Sequence, residues 1–149
     1  DVFATASEIT GLEAPTMGED SVSFLPALSG KPIKSSRKGV IHHSISGHFG
    51  YRQGKWKLIL ARGSGGWSSP NEKTSKGALE AQLYNMEKDP GEKTNLYNER
   101  PEIANRLLGI LTTDIERGRS TDGPIAKNDL AKIRIWKSGR DGTLKKPSK

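Results

Sequence analysis

Residues 40–67 read VIHHSISGHFGYRQGKWKLILARGSGGW and hold all three histidines of the chain and two of its three tryptophans. They are also its densest run of strand-forming residues. The simplest reading is two or three strands in succession: 40–46, then 49–53, turning at Gln53-Gly54 into 55–61. Side chains alternate along them. Tyr51, Gln53 and Lys55 fall on one face with Arg52 opposite; Trp56, Leu58 and Leu60 share a face, with Lys57, Ile59 and Ala61 on the other. A period of two is that of strands with one buried side. The run Gly63-Ser64-Gly65-Gly66 ends the ladder, because glycine weakens strand interiors.

Downstream, 68–78 is a polar loop without period and 82–86 (QLYNM) is the next strand. Lys88-Asp89-Pro90-Gly91 places proline and glycine where turns use them. Residues 101–117 form the best-marked helix. Pro101 suits the first helical position, and Glu102 and Arg117 suit the two ends of the helix dipole. Ile103, Leu107, Leu111 and Ile115 step by four, and Leu108 and Ile110 widen the stripe. Such a stripe needs a covering surface, and the sheet of the preceding strands is the candidate. Burial is worth roughly 1.5–3 kcal/mol per large side chain. Upstream, 1–10 reads as a helix capped by Asp1, with Val2, Ala6 and Ile9 at helical spacing and Gly11 as its stop. A short helical turn is expected at 23–28. The polar, basic link 31–38 marks a boundary between two structural units.

The chain has 149 residues, one domain's worth, and 32% of them are hydrophobic. Its mean hydropathy is −0.66, so the core is thin. No apolar run approaches the roughly 18 residues of a membrane span, and no signal peptide is visible. The absence of cysteine excludes disulfides, a cysteine nucleophile and thiolate metal sites. The chain opens at Asp1 directly on a helix-start pattern, which predicts a piece excised from a longer protein. The net charge is +7. Residues 120–149 carry eight Lys and Arg against three Asp, so +5 of that excess sits there and only +2 in the remainder. A loosely packed basic tail is expected over 120–149.

Several motifs fail. The glycine run is followed by no Gly-Lys-Ser/Thr and lacks the third glycine of a dinucleotide fingerprint; what remains is a turn between strands or a backbone nest for an anion. His42 and His43 are adjacent, so on a regular strand they face opposite ways and share one site only at a bulge or a strand end. His48 lies in a turn, and no ligand spacing supports zinc. Ser44 and Ser64 sit in no nucleophile elbow. Glu19-Asp20, the adjacent acidic pair, reads as a solvated loop rather than part of the six or more oxygens that calcium takes.

Four stretches in order carry a resemblance: DVFATASEITG, GEDSVSFLPALSGK, GYRQGKWKLI and QLYNMEKDPGEKTNL, followed by a helix. Together they resemble the C-terminal portion of the sulfatase family over about residues 1–117. Arg52, Gly54, Lys55, Trp56, Lys57 and Leu58 match an R-x-G-x-[WY]-K-L hairpin. Leu83, Tyr84, Asn85, Asp89, Pro90, Glu92, Asn95 and Leu96 match L-[YF]-[DN]-x-x-x-D-P-x-E-x-x-N-L. HHS and GSGGWS are similar to an arylsulfatase-like branch. The resemblance implies an α+β fold, with a small antiparallel sheet of about four strands packed against a C-terminal helix and preceded by remnant helices of an alkaline-phosphatase-like α/β domain. On this reading 1–38 ends the catalytic domain, 39–119 is the C-terminal subdomain and 120–149 is the tail.

The resemblance also implies a full-length parent that hydrolyses sulfate esters with calcium and a formylglycine made in C/S-x-P-x-R. This chain has no such motif: Ser68-Ser69-Pro70 is followed by Asn71 and Glu72. No catalytic residue and no metal or other cofactor is therefore expected in it. By itself it is expected to be inactive, contributing one wall of a substrate cleft. The expected contacts are His42, His43 and the Gly65-Gly66-Trp67-Ser68 turn, since imidazole can donate to a sulfate or hydroxyl and indole offers an apolar face to a ring. Arg52, Lys55 and Lys57 can meet an anion or, alternatively, pair with the acidic turn. The expected partners are the rest of the catalytic domain and a sulfated small molecule or saccharide, not nucleic acid or membrane, with a periplasmic or extracellular parent. Two other classes compete. A nucleic-acid- or polyanion-binding module would need its basic face on the aromatic-bearing sheet. A stand-alone carbohydrate-binding β-module would need an all-β core.

Overall fold

The computed structural model describes residues 1–12, 18–130 and 133–137. It divides into two compact units, Asp1–Lys38 with Asp114–Asp129 and Gly39–Thr113 with Leu130–Lys149. The chain is α+β, with elements in the order α1 (Val2–Thr10), α2 (Leu25–Leu28), β1 (Val40–His43), β2 (Phe49–Gln53), β3 (Trp56–Ile59), β4 (Gln82–Asn85) and α3 (Pro101–Arg117). No helix among the described residues is long and apolar enough to cross a membrane.

In the larger unit the strands form one four-stranded antiparallel sheet in sequence order. Gln53 pairs with Trp56, so Gly54-Lys55 is a two-residue turn. Gly54, at φ 55, supplies the positive angle that the first position of a II′ turn requires. That turn places Tyr51 and Leu58 on one face, opposite each other, with Leu83 next in line. All three are essentially inaccessible. Arg106 of α3 hydrogen-bonds Gln53 on this same face, which seats the helix there. Its Ala104, Leu107 and Leu111 are buried, so the stripe read from the four-residue step meets the sheet as expected. Ile135 and Trp136, from the stretch expected to be loose, are also buried. The basic residues Lys132, Arg140, Lys145, Lys146 and Lys149 of that stretch lie outside the described residues.

Three strands are shorter than expected, β4 only by Met86. β1 stops at His43 because the chain turns at once: Ser44 N–H donates to His48 O, and Gly47 N–H returns to Ser44 O. β3 starts at Trp56 because Lys55 belongs to the turn, although Leu60 N–H still reaches Phe49 O. The outer edge of β4 is covered, with Leu83 bonded to the Asn95 side chain and to Leu96 N–H. A strand edge capped in this way offers little to a foreign strand.

In the smaller unit Gly11 ends α1 at φ 68 as expected. The start differs. The Asp1 carboxylate makes no cap; it accepts Val22 N–H and pairs with Arg37. The buried side of α1 is Thr5, whose hydroxyl oxygen accepts Phe24 N–H, whereas Val2 and Ile9 are exposed. The Asp20 carboxylate, exposed in its turn as expected, also accepts both the N–H and the hydroxyl of Ser120.

Candidate functional site

The sheet face opposite α3 is open. Across it runs a row His42, Gly50, Ile59, Gln82, and beside that a row Arg52, Lys57, Tyr84. The loop after β3 and the turn after β1 fold over one end of these rows and enclose a pocket of about 490 Å³.

The pocket exists because Gly50 has no side chain. A Cβ there would stand 2.4 Å from His42 Nε2, so the imidazole lies across the space a larger residue would fill. Burial, and after it the positive charge of Lys57, hold the His42 pKa below the ordinary imidazole value. The ring is therefore neutral near pH 7 and can both donate and accept. His43 is the last residue of its strand. Its ring meets Phe49 edge-on and its Nδ1 lies 3.1 Å from Ser44 O, yet it lines the same pocket as His42. Being at a strand end is what lets two adjacent histidines share a site. His48 is buried, with Nδ1 3.1 Å from Leu60 O. Since a carbonyl only accepts, that nitrogen carries the proton.

The far wall is a fixed polar chain. Gln82 Nε2 donates to Ala61 O and Gly63 O, both at 2.8 Å, which commits its Oε1 to the Tyr84 hydroxyl at 2.6 Å. Burial, then Glu92 and Asp89, raise the Tyr84 pKa, so the phenol stays a donor. Lys57 Nζ pairs with Glu92, which has a positive φ of 54 without being glycine. Lys55 faces Glu87 at 3.7 Å, and Arg52 Nε donates to Gly54 O. These three cations have partners inside the protein.

The glycine run is a nest already filled. Glu72 accepts Gly63 N–H at 2.7 Å and Arg62 N–H at 3.3 Å, Pro70 O accepts Ser64 N–H, and Ser64 Oγ accepts Gly66 N–H. A Cβ on Gly63 would come within 2.5 Å of Pro70 O, so only glycine permits this close crossing. Of the expected contacts, His42, His43 and Gly65 line the pocket. Gly66, Trp67 and Ser68 follow on the same loop outside the lining, and Trp67 is 86% exposed. Ser68 O accepts the Ser64 hydroxyl. Sequence reasoning did not single out Arg62, Gln82 or Tyr84 for this site. A charged residue set directly between an apolar strand and a glycine run was the available signal for Arg62.

Among the described residues no group of three or more His, Asp or Glu side chains could hold a metal ion. The donor set here does not fit calcium.

No protein-family model matches the chain. No curated protein matches it significantly. Solved structures do. One is a Bacteroides thetaiotaomicron protein labelled 6S-sulf, tied to the metabolism of multiple glycosaminoglycans; it is 26% identical with a TM-score of 0.58, over 76% of this chain and 24% of that one. Another, solved in complex with its substrate D-glucosamine-2-N,6-O-disulfate, is 21% identical with a TM-score of 0.51, over 74% of this chain and 22% of that one. The fold of this chain is sulfatase-like. The chain spans about a quarter of the length of the structures it matches.

Proposed function

We propose that this chain is the C-terminal portion of an arylsulfatase-like protein whose full-length form hydrolyses sulfate esters, and that the pocketed sheet face forms one wall of its substrate cleft. The observation that carries the reading is the convergence of His42, His43 and His48 with Gln82 and Tyr84 over Gly50, on the side of the sheet away from α3. A hydrogen-bonding pocket beside an exposed indole suits a sulfated saccharide, whose hydroxyls and ester oxygens take hydrogen bonds and whose ring stacks on an aromatic face. The glycosaminoglycan connection of one neighbour favours a saccharide over an aryl sulfate.

On this reading the bond-breaking groups, a formylglycine and calcium, belong to the rest of the catalytic domain, which is the chain's principal partner, and the chain alone grips without cleaving. The parent would work in the periplasm or outside the cell. The side chains here bind and orient. His42, His43 and Gly65 line the wall, and Gly66, Trp67 and Ser68 carry it to the rim. The α3 helix supplies Leu107 and Leu111 to the core, which a self-sufficient all-β module would not need.

The test is calorimetric titration of the chain with D-glucosamine-6-sulfate. His42→Ala and Trp67→Ala should each weaken binding by about tenfold, the scale of one good hydrogen bond or stacking contact. Unchanged affinity in both variants would remove the site from this face.

A further inference from the structure

Resting on the cleft-wall reading, the structure points to a specific occupant of the pocket: we infer that Arg62 holds an oxyanion of the ligand, a sulfate or a carboxylate, and so makes this wall select for charged saccharides.

Arg62 lies three positions beyond the end of β3 and lines the pocket. Its Nε is buried and has no hydrogen-bond partner among the described residues. Among the described lining residues the other permanent cation is satisfied, and two of the three imidazoles each have one nitrogen occupied. Lys57 is paired with Glu92, His48 Nδ1 meets Leu60 O, and His43 Nδ1 meets Ser44 O. The nearby carboxylates are spent as well, Glu92 on Lys57 and Glu72 on the main-chain N–H groups of Arg62 and Gly63. What is left is a permanent positive charge with a buried N–H and no acceptor. Native proteins rarely leave a buried charge unmatched; the Nε itself has almost no accessible surface, so a ligand oxyanion would meet the guanidinium through the part of the side chain that lines the pocket. Water can satisfy the N–H but not the charge. A guanidinium presents parallel N–H donors that fit two oxygens of one carboxylate or sulfate, which a point charge such as lysine cannot match. The internal Glu72 carboxylate, seated on the backbone amides of Arg62 and Gly63, closes off the glycine loop as a rival anion site.

The experiment titrates the full chain with D-glucosamine, D-glucosamine-6-sulfate and sodium sulfate, in wild type, Arg62→Gln and Arg62→Lys, with near-ultraviolet circular dichroism as the check on folding. The sulfated sugar should bind about tenfold or more tighter than the plain sugar, and Arg62→Gln should erase that difference while moving the plain sugar by no more than about twofold. Arg62→Lys keeps the charge but not the fork, so it should recover only part of the preference; it carries the test if Arg62→Gln does not fold. A sulfate preference that survives in both variants overturns the assignment. If wild type takes both sugars alike, the anion site falls and the cleft wall stands. If neither sugar binds but sodium sulfate does, in an Arg62-dependent way, the anion site stands and the cleft wall falls. No binding of any probe overturns both.

Discussion

Gly50 and His42 show how one absent side chain makes a site. The imidazole lies where a Cβ would be, and that placement both opens the pocket and desolvates the ring. Gly50→Ala should swing His42 out toward solvent and return its titration upward to the ordinary imidazole range, read from histidine ring resonances against pH; an unmoved midpoint would mean that the ring does not lie over Gly50. Asp114 is a second residue with a shifted proton. It is 4% exposed, one of its carboxylate oxygens has no partner among the described residues, and burial raises its pKa against the pull of Lys38 and Arg117. A carboxyl raised in the folded state takes up its proton more readily folded than unfolded. The penalty for its charge is thus present in full at neutral pH and is relieved as pH falls through the raised folded value toward the ordinary one. Asp114→Asn should raise the urea midpoint at pH 7, with the gain shrinking toward acid; a gain that grows toward acid would contradict this. His42 and His43 were named from the sequence, but neither the overlap of His42 with Gly50 nor the burial of Asp114 was readable from its own residues. Adjacent histidines on a strand point apart by geometry, and only the early end of β1 at His43 brings them together.

At the scale of elements, the reading from sequence held wherever one period dominated. The apolar step of four along α3 and the alternation through β2 and β3 each name a buried face, and those faces meet. Leu107 and Leu111 are fully buried there, so replacing either by alanine should lower stability by about 2–5 kcal/mol in chemical unfolding. A loss under about 1 kcal/mol would mean that the helix does not seat on the sheet. α1 was legible as a helix but not in its orientation. Its apolar spacing names Val2, Ala6 and Ile9, whereas the buried side is Thr5, fixed by hydrogen bonds to residues some twenty positions away that no local pattern encodes. The shortening of β1 likewise depends on the 44–48 turn, a matter of backbone bonds rather than residue type. The glycine run was legible as a turn; that Glu72 fills its amides was not, because nothing in the spacing links residue 72 to residue 63.

Across the whole molecule the net charge of +7 is a poor guide to function. Most of the excess lies in 120–149, while the cations of the sheet face are paired with Glu87 and Glu92 or with backbone, leaving Arg62 as the exception in the pocket. What organises the larger unit is a division between two faces of one sheet, with the helix on one side and the proposed ligand wall on the other. The most direct test of that division is an imidazole and indole spectrum of the nitrogen-15-labelled chain during titration with D-glucosamine-6-sulfate. Saturable shifts are expected in the His42, His43 and His48 ring signals and in the exposed Trp67 indole, with the amides of α3 unmoved. Ring signals that stay fixed while α3 or the smaller unit responds would contradict it.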